Sequence, residues 1–149
     1  MSKKTSVTKN VADNVDEQPW TEAFGKRSTE DFGAALTPDA VLNASILVKP
    51  IVGRDLVKIC MGTASTMYEH LVFLAQAKSE GRTWLEWEAR TISGLELAGV
   101  TVLEINVAGK ITSIGIHHRS LEALLKFSAE LGRRTEGKID SSHFYRLPE

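Results

Sequence analysis

The stretch that decides the predicted fold is residues 82–119, RTWLEWEARTISGLELAGVTVLEINVAGKITSIGIHHR. It contains three runs rich in Val, Ile, Thr, Trp and Leu, separated at Ser93-Gly94 and at Ala108-Gly109. Glycine adopts the positive φ angle that tight hairpin turns require. The stretch therefore predicts three consecutive antiparallel strands.

Helical patterns lie on both sides of this stretch. The predicted elements are helices at 19–27 and 28–36, a strand at 39–48, a helix at 54–68, a strand at 69–77 and, after the three strands, a helix at 120–131. Helices and strands segregated in this way indicate an α+β fold, not a doubly wound parallel sheet. We expect a curved antiparallel sheet wrapped around the N-terminal helices into a cone with an open mouth, with a C-terminal helix behind it.

The helical periodicity also predicts which faces are buried. The predicted buried face of helix 54–68 holds Leu56, Ile59, Cys60, Thr63 and Met67, and that of the last helix holds Leu121, Leu124, Leu125, Ser128 and Leu131. Gly62 weakens its helix relative to alanine, which indicates close packing at that point. Cys60 is interpreted as an inert core thiol, because no activating residue is near it in sequence.

Composition limits the class of protein. The chain has 149 residues, a net charge of -1 and one cysteine. That length suits a single domain, and the charge gives no basic footprint for nucleic acid or for an anionic membrane. No run of 18 apolar residues could span a membrane. The lone cysteine and the lack of a secretory signal predict a cytoplasmic protein.

Polarity divides the chain into three predicted parts. Residues 1–18 are polar and predict a flexible N-terminal arm. Residues 19–134 form the α+β domain. Residues 135–149 form a C-terminal tail without strong periodicity, which could dock on a neighbouring surface through Ile139, Phe144, Tyr145 and Leu147.

Three short segments resemble a known superfamily. They are TPDAVL from Thr37, GRDLV from Gly53 and VAGKITSI from Val107, in this order and spacing. Together they resemble the nuclear-transport-factor-2-like, or SnoaL-like, domain over about residues 20–133. The resemblance implies a cystatin-like conical α+β barrel with a small apolar ligand pocket. Its members include ketosteroid isomerases, polyketide cyclases, epoxide hydrolases, dehydratases and noncatalytic modules, and many are dimers joined through the convex face of the sheet.

A two-residue turn at Ser93-Gly94 would place Glu86 opposite Thr101 on one face of the sheet. Leu85, Trp87, Ala89, Val100 and Val102 would then lie on the other face, which we interpret as a homodimer interface. On this pairing Glu86 and Glu88 lie on the pocket wall. The alternative is that both glutamates form a solvated stripe.

The resemblance also implies roles for the last strand. Ile114, Ile116 and His118 match pocket-lining positions, so His118 is a candidate general acid or base, with Glu86 or Glu88 as its orienter or as a second base. A structural or surface role for His118 is the alternative. The predicted substrate-binding residues are Trp84, Arg90, Thr101, Leu103, Ile114 and Ile116.

The known catalytic sets of the superfamily are missing. The aspartate base of the ketosteroid isomerases lies near the position of Ala44, and Thr101 stands in place of their protonated aspartate. Ile116 occupies the final-strand aspartate position of the epoxide hydrolases. Neither reaction is therefore carried over to this chain.

Two function classes follow. The first is an enzyme that needs no cofactor and acts by proton transfer on an apolar substrate, as an isomerase, cyclase, dehydratase or hydrolase. The second is a noncatalytic dimeric module that binds a small ligand or a protein. No metal site is expected, since His117 and His118 point to opposite faces of their strand.

Overall fold

A computed structural model describes residues 10–148 of the chain. Two short helices, α1 (Pro19–Lys26) and α2 (Thr29–Ala34), precede strands β1 (Leu36–Ala44) and β2 (Ile51–Val52). Helix α3 (Arg54–Thr66) is followed by β3 (Tyr68–Ser79), β4 (Arg82–Thr91), β5 (Glu96–Ile105) and β6 (Ile111–Arg119). Helix α4 (Leu121–Arg134) and a 3-10 turn (Ser141–His143) end the described chain.

The strands form one six-stranded sheet in the order β2-β1-β6-β5-β4-β3. β1 runs parallel to β6, and the other neighbouring strands pair antiparallel. The curved sheet packs its inner face against α3 and the other helices, which confirms the predicted α+β cone. The two-residue strand β2 lies in a segment that the sequence did not predict as a strand.

The predicted pairing of β4 with β5 is wrong by one residue. Thr101 lies opposite Leu85, not Glu86. The loop between the strands has three residues, Ile92 to Gly94, and is closed by the Thr91 N–H, which donates to the Leu95 carbonyl at 2.9 Å. Gly94 has a φ angle of 96°, which suits the last position of a three-residue hairpin loop.

This shift of one residue exchanges the two faces of the sheet. The buried side chains of β4 are Thr83, Leu85, Trp87, Ala89 and Thr91, and the outer ones are Arg82, Trp84, Glu86, Glu88 and Arg90. The predicted interface residues Leu85 and Trp87 are therefore core residues, 0% and 3% exposed.

Two predicted helix faces are also rotated from the observed ones. In α3 the buried residues include Val57, Cys60, Met61 and Ala64, whereas Leu56 is exposed. In α4 they are Ala123, Leu124, Phe127, Ser128 and Leu131, whereas Leu121 is exposed. The predicted burial of Cys60 is correct. Gly62 is closely packed as expected, because a Cβ at that position would lie 2.9 Å from the Cα of Thr29.

The helices begin and end for identifiable local reasons. Ser28 caps α2, with its hydroxyl accepting from the Asp31 N–H at 3.1 Å. Arg27, at φ 52°, ends α1, and its guanidinium donates to the carbonyls of Ser65 and Tyr68. These bonds satisfy carbonyls at the end of α3 and attach the α1–α2 corner to it.

Part of the expected flexible arm is packed on the sheet. The Phe73 N–H donates to the Asn10 carbonyl at 2.9 Å, and the Ala12 N–H donates to the Phe73 carbonyl at 2.8 Å. Val11 and Val15 are buried. Residues 10–15 thus lie along the outer edge of β3. The rest of the expected arm, residues 1–9, lies outside the described residues.

The C-terminal tail docks on the loop after β1. Ile139 and Phe144 are 4% and 5% exposed, and Phe144 forms an antiparallel bridge with Leu47. Tyr145 and Leu147 stay exposed. Within residues 10–148, no helix has the length and apolar character needed to cross a membrane.

Gly99 on β5 is a point of close approach within the sheet. A Cβ at this position would lie 2.8 Å from Cζ2 of Trp87 and 3.2 Å from the carbonyl carbon of His117. We predict that Gly99→Ala lowers the free energy of unfolding by about 1–3 kcal/mol, the usual effect of overpacking a core. Urea denaturation measures this change.

The matched control is Gly115→Ala on the neighbouring strand β6. The nearest atom to a Cβ there is Nε2 of His117, at an ordinary contact distance of 3.7 Å. This variant should keep the stability of the unmodified chain. Equal stabilities of the Gly99→Ala and Gly115→Ala proteins would contradict the packing described for Gly99.

Candidate functional site

A small apolar cavity lies between the inner face of the sheet and α3. The space that the centre of a water molecule can reach is about 20 Å³, enough for about one water molecule. Its walls come from α1, β1, α3, the strands β3 to β6 and α4; the lining residues are Phe24, Leu42, Ala44, Ile46, Cys60, Met61, Ala64, Tyr68, Leu71, Phe73, Trp87, Thr101, Ile116, His118 and Phe127.

One row of residues across the sheet builds the polar part of the cavity. Trp87, Gly99 and His118 lie side by side on β4, β5 and β6. Because Gly99 has no side chain, the two rings meet above it, edge to face, with centroids 5.4 Å apart. The indole N–H of Trp87 donates to Oγ1 of Thr101 at 3.1 Å. The row therefore sets both Thr101 and His118 in the cavity wall.

His118 is held by Ser45, which follows the end of β1. Nδ1 of His118 lies 2.8 Å from Oγ of Ser45. The backbone N–H of His118 donates to the same oxygen, also at 2.8 Å. The Ser45 hydroxyl can in turn donate to Nδ1 or, at 3.4 Å, to the carbonyl of Ile116. Donation to the closer Nδ1 places the ring hydrogen on Nε2.

The cavity groups are uncharged at neutral pH. Burial lowers the pKa of His118 to about 4; the Ile116 carbonyl raises this pKa and neighbouring His117 lowers it further. Burial raises the pKa of the Cys60 thiol to about 12. It also raises the pKa of the Tyr68 phenol above its usual range, and Cys60 adds to this shift. No carboxylate, lysine or arginine is among the cavity-lining residues of the described chain.

Three of the predicted site residues line the cavity, namely Thr101, Ile116 and His118. Leu103 and Ile114 face inward but are fully buried in the core away from it. The four remaining residues lie on the outer face: Trp84, Glu86, Glu88 and Arg90.

The predicted placement of the two glutamates on the pocket wall is thus wrong. Glu86 and Glu88 are exposed, which corresponds to the alternative of a solvated stripe. They cannot orient His118 from the opposite face of the sheet. Arg90 lies within 4 Å of two carboxylates there, those of Glu69 and Glu96.

The sequence reasoning missed several residues that matter for the cavity. Apolar and charged residues alternate along β4, and the apolar set of such a strand usually faces the core. This alternation was the available signal for Trp87. Phe127 lies at helical spacing from Leu124 and Leu131 and could have been found in the same way. Ser45 had no local signal, since its partner His118 is 73 residues away.

Over residues 10–148, no group of three or more His, Cys, Asp or Glu residues is arranged to hold a metal ion. His117 and His118 do point to opposite faces, and His117 is exposed on the outer one.

Comparison with known proteins gives structural relatives only. No protein-family model matches the chain, and no curated protein matches it. A steroid delta-isomerase from Pseudomonas aeruginosa superposes with a TM-score of 0.71 at 26% identity, over 77% of this chain and 85% of that one. An uncharacterized protein with a cystatin-like fold from Silicibacter pomeroyi gives a TM-score of 0.73 at 18% identity, over 78% and 82%.

A structure of the SnoaL-like family from Agrobacterium tumefaciens is more distant. Its TM-score is 0.54 at 14% identity, over 68% of this chain and 92% of that one. The similar structures share the cone of helices and curved sheet described above. The chain therefore has the fold of the nuclear-transport-factor-2-like, or SnoaL-like, superfamily.

Proposed function

We propose that this protein binds a small, uncharged and largely apolar molecule in the cavity. The observation that carries the proposal is the pairing of an apolar wall with two polar groups, Thr101 and His118, which lie diagonally on neighbouring strands and both line the cavity. Ligand pockets typically combine such apolar walls with a few placed polar groups. A charged ligand would lose its hydration there without gaining an opposite charge.

The two polar groups define what the ligand should carry. Oγ1 of Thr101 accepts the Trp87 N–H, so its own hydrogen can be donated to a ligand. Nε2 of His118 has no hydrogen-bond partner among the described residues and, with Nδ1 bonded to Ser45, is a second donor. Two donors suit a single acceptor oxygen, such as that of a ketone.

The proposed contact can be tested with 1-indanone and with indane, which lacks the carbonyl oxygen. We expect the unmodified protein to bind 1-indanone about two- to tenfold more tightly, the contribution of one net hydrogen bond. Thr101→Val and His118→Phe should reduce this ratio. Titrations followed by NMR chemical shifts measure the six affinities, of three proteins for two ligands.

The matched control is Thr112→Val, which changes a half-buried threonine outside the cavity and should keep the full ratio. Equal affinities of the unmodified protein for 1-indanone and indane would contradict the proposed carbonyl contact.

A second candidate function is proton transfer at carbon, as in a cofactor-independent isomerase. His118 favours it, because an imidazole with a pKa of about 4 is uncharged at pH 7. To accept a proton at Nε2 the ring must be in the other tautomer, in which Nδ1–H donates to Oγ of Ser45 and the Ser45 hydroxyl donates to the Ile116 carbonyl. The same pKa argues against a general-acid role, since only about one His118 in a thousand is protonated at pH 7. Ser45 replaces the glutamates as the residue that orients this base.

The proton-transfer candidate predicts faster hydrogen exchange in the ligand. The C2 hydrogens of 1-indanone lie next to its carbonyl, so a base at His118 should accelerate their replacement in D₂O. NMR measures the rate with the unmodified protein and with His118→Phe. If the C2 hydrogens exchange no faster with the protein than in buffer, proton transfer to His118 from this ketone is excluded. The binding proposal is not affected by that result.

The neutral state of His118 has a consequence for stability. The pKa is 6.5 for an unperturbed histidine and about 4 in the fold. Between these values the unfolded chain binds a proton that the folded chain does not, so stability falls as the pH is lowered from 6.5 towards 4. The largest contribution of His118 to this loss is about 3 kcal/mol.

We predict that His118→Gln flattens the dependence of the unfolding free energy on pH between 6.5 and 4. His70→Gln, at an exposed position of β3, should keep the slope of the unmodified chain. Urea denaturation at several pH values gives the three slopes. Equal slopes for the unmodified protein and His118→Gln would contradict a lowered His118 pKa.

The proposed homodimer keeps Val102 from the first predicted set and replaces the buried residues Leu85, Trp87 and Ala89 by Trp84. On the outer face of the sheet, Ala77, Trp84, Val102 and Gly115 lie in one row across β3 to β6. Trp84 is half-buried within a single chain. The small residue Ala77, paired with Trp84 on β3, leaves room beside it for the Trp84 ring of a second copy, a suitable anchor for an interface.

We predict that Trp84→Glu converts a dimer into a monomer, as measured by sedimentation equilibrium. Leu121→Glu is the control, because Leu121 is an exposed apolar residue of α4 and does not lie on the sheet. A monomer mass for the unmodified protein would end the dimer proposal. Trp87→Glu is unsuited to this test because Trp87 is buried and its change would unfold the chain.

A further inference from the structure

One side chain of the C-terminal helix closes the cavity on the side of α4. Phe127 is the only residue of α4 that lines the cavity, and it is 1% exposed. Its ring stacks on Tyr68 with centroids 5.3 Å apart and an interplanar angle of 21°. It also lies beside His118, at 6.4 Å between centroids. The Phe127 ring thus occupies the place that a flat ligand ring would take if it bound between Tyr68 and His118.

The same side chain separates the cavity from an outer cleft. This cleft has a volume of about 480 Å³ and lies between α4, the β4–β5 loop and the C-terminal tail. Phe127 is the one residue that lines both spaces. Apolar side chains at the cleft wall include Ile92 and Leu95. The α4 side of the cleft carries the charged residues Lys126, Glu130, Arg133 and Arg134. Moving Phe127 outward would therefore join the cavity to an entrance with one apolar and one charged wall.

The helix that carries Phe127 lies outside the hydrogen-bonded sheet. The other cavity residues belong to hydrogen-bonded strands, to the loop after β1, or to α1 and α3, which pack within the cone. Helix α4 follows the last strand, so it can shift without breaking the sheet. A polar link ties it down: the Ser128 hydroxyl donates to the Ile46 carbonyl at 2.6 Å and accepts from the Tyr145 N–H at 2.9 Å.

We propose that α4 is a lid and that the ligand is a flat aromatic or conjugated molecule that takes the place of the Phe127 ring. The incoming ring stacks on Tyr68, and its polar atom reaches Thr101 and His118. This inference rests on the proposed function, because it concerns the same cavity. It also explains how a cavity with room for about one water molecule can accept a larger ligand.

The test compares 1-indanone binding to the unmodified protein, to Phe127→Ala and to Leu131→Ala. Leu131 is also fully buried on α4 but does not line the cavity. We expect Phe127→Ala to bind 1-indanone about tenfold more tightly or better, as when a site open in a tenth of the molecules is opened fully. Leu131→Ala should show no such gain.

Amide hydrogen exchange of α4 in the unmodified protein gives an independent readout. If 1-indanone displaces Phe127, the α4 amides should exchange faster when the protein is saturated with 1-indanone, because the helix has moved from its place. A ligand held beside an undisturbed Phe127 would slow the exchange of these amides. Phe127→Leu, which keeps an apolar side chain, is the substitute if Phe127→Ala does not fold. It should gain affinity to a smaller degree.

Three results would overturn the lid. They are an unchanged affinity in both Phe127 variants, an equal gain in Leu131→Ala, and slower α4 exchange with bound ligand. The carbonyl preference for 1-indanone over indane is measured separately. If the protein shows no such preference, the proposed polar contact with the carbonyl oxygen is contradicted. A higher affinity of Phe127→Ala for 1-indanone would still support the lid.

Discussion

The structure depends on the three-residue loop that joins β4 to β5. The Thr91 side chain accepts the Leu95 N–H at 2.9 Å, and the Gly94 N–H donates to the Thr91 carbonyl at 3.0 Å. Since side chains alternate along a strand, this closure decides which face of β4 is inside. It puts Trp87 and Thr101 together in the cavity wall. A loop shorter by one residue would put the glutamates there instead, where an unpaired carboxylate is strongly disfavoured.

The order and type of most elements could be predicted from the sequence, whereas the register could not. Hydrophobic periodicity predicts helices and strands over windows of ten residues or more, where single exceptions do not matter. The register of β4 and β5 depends on the number of residues in the loop between them, and Gly94 suits a two-residue or a three-residue loop equally well. The faces of α3 and α4 were rotated for a similar reason. Leu56 and Leu121 fit the periodic pattern, but tertiary packing leaves both exposed.

Site residues could be predicted on the strands whose inward-facing alternate residues were assigned correctly. Features of the site that depend on contacts between residues far apart in sequence could not. The placement of Thr101, Ile116 and His118 in the wall was expected, and the catalytic role suggested for His118 stays a prediction, as does the cytoplasmic location. The protonation of His118 follows from burial, which no local pattern reports. Its partner Ser45 follows β1, the strand that runs parallel to the strand β6 of His118 but lies far from it in sequence.

The segment 10–15 on the edge of β3 also restricts how copies of this chain can meet. An uncovered edge strand offers free N–H and C=O groups to any other strand, and proteins usually block such edges. Here the backbone of Asn10 and Ala12 already occupies those groups at Phe73, and Asp16 bonds Gln76 and Lys78 farther along. Growth of the sheet through β3 is therefore hindered, and the opposite edge, β2, offers the backbone of only two residues to a further strand.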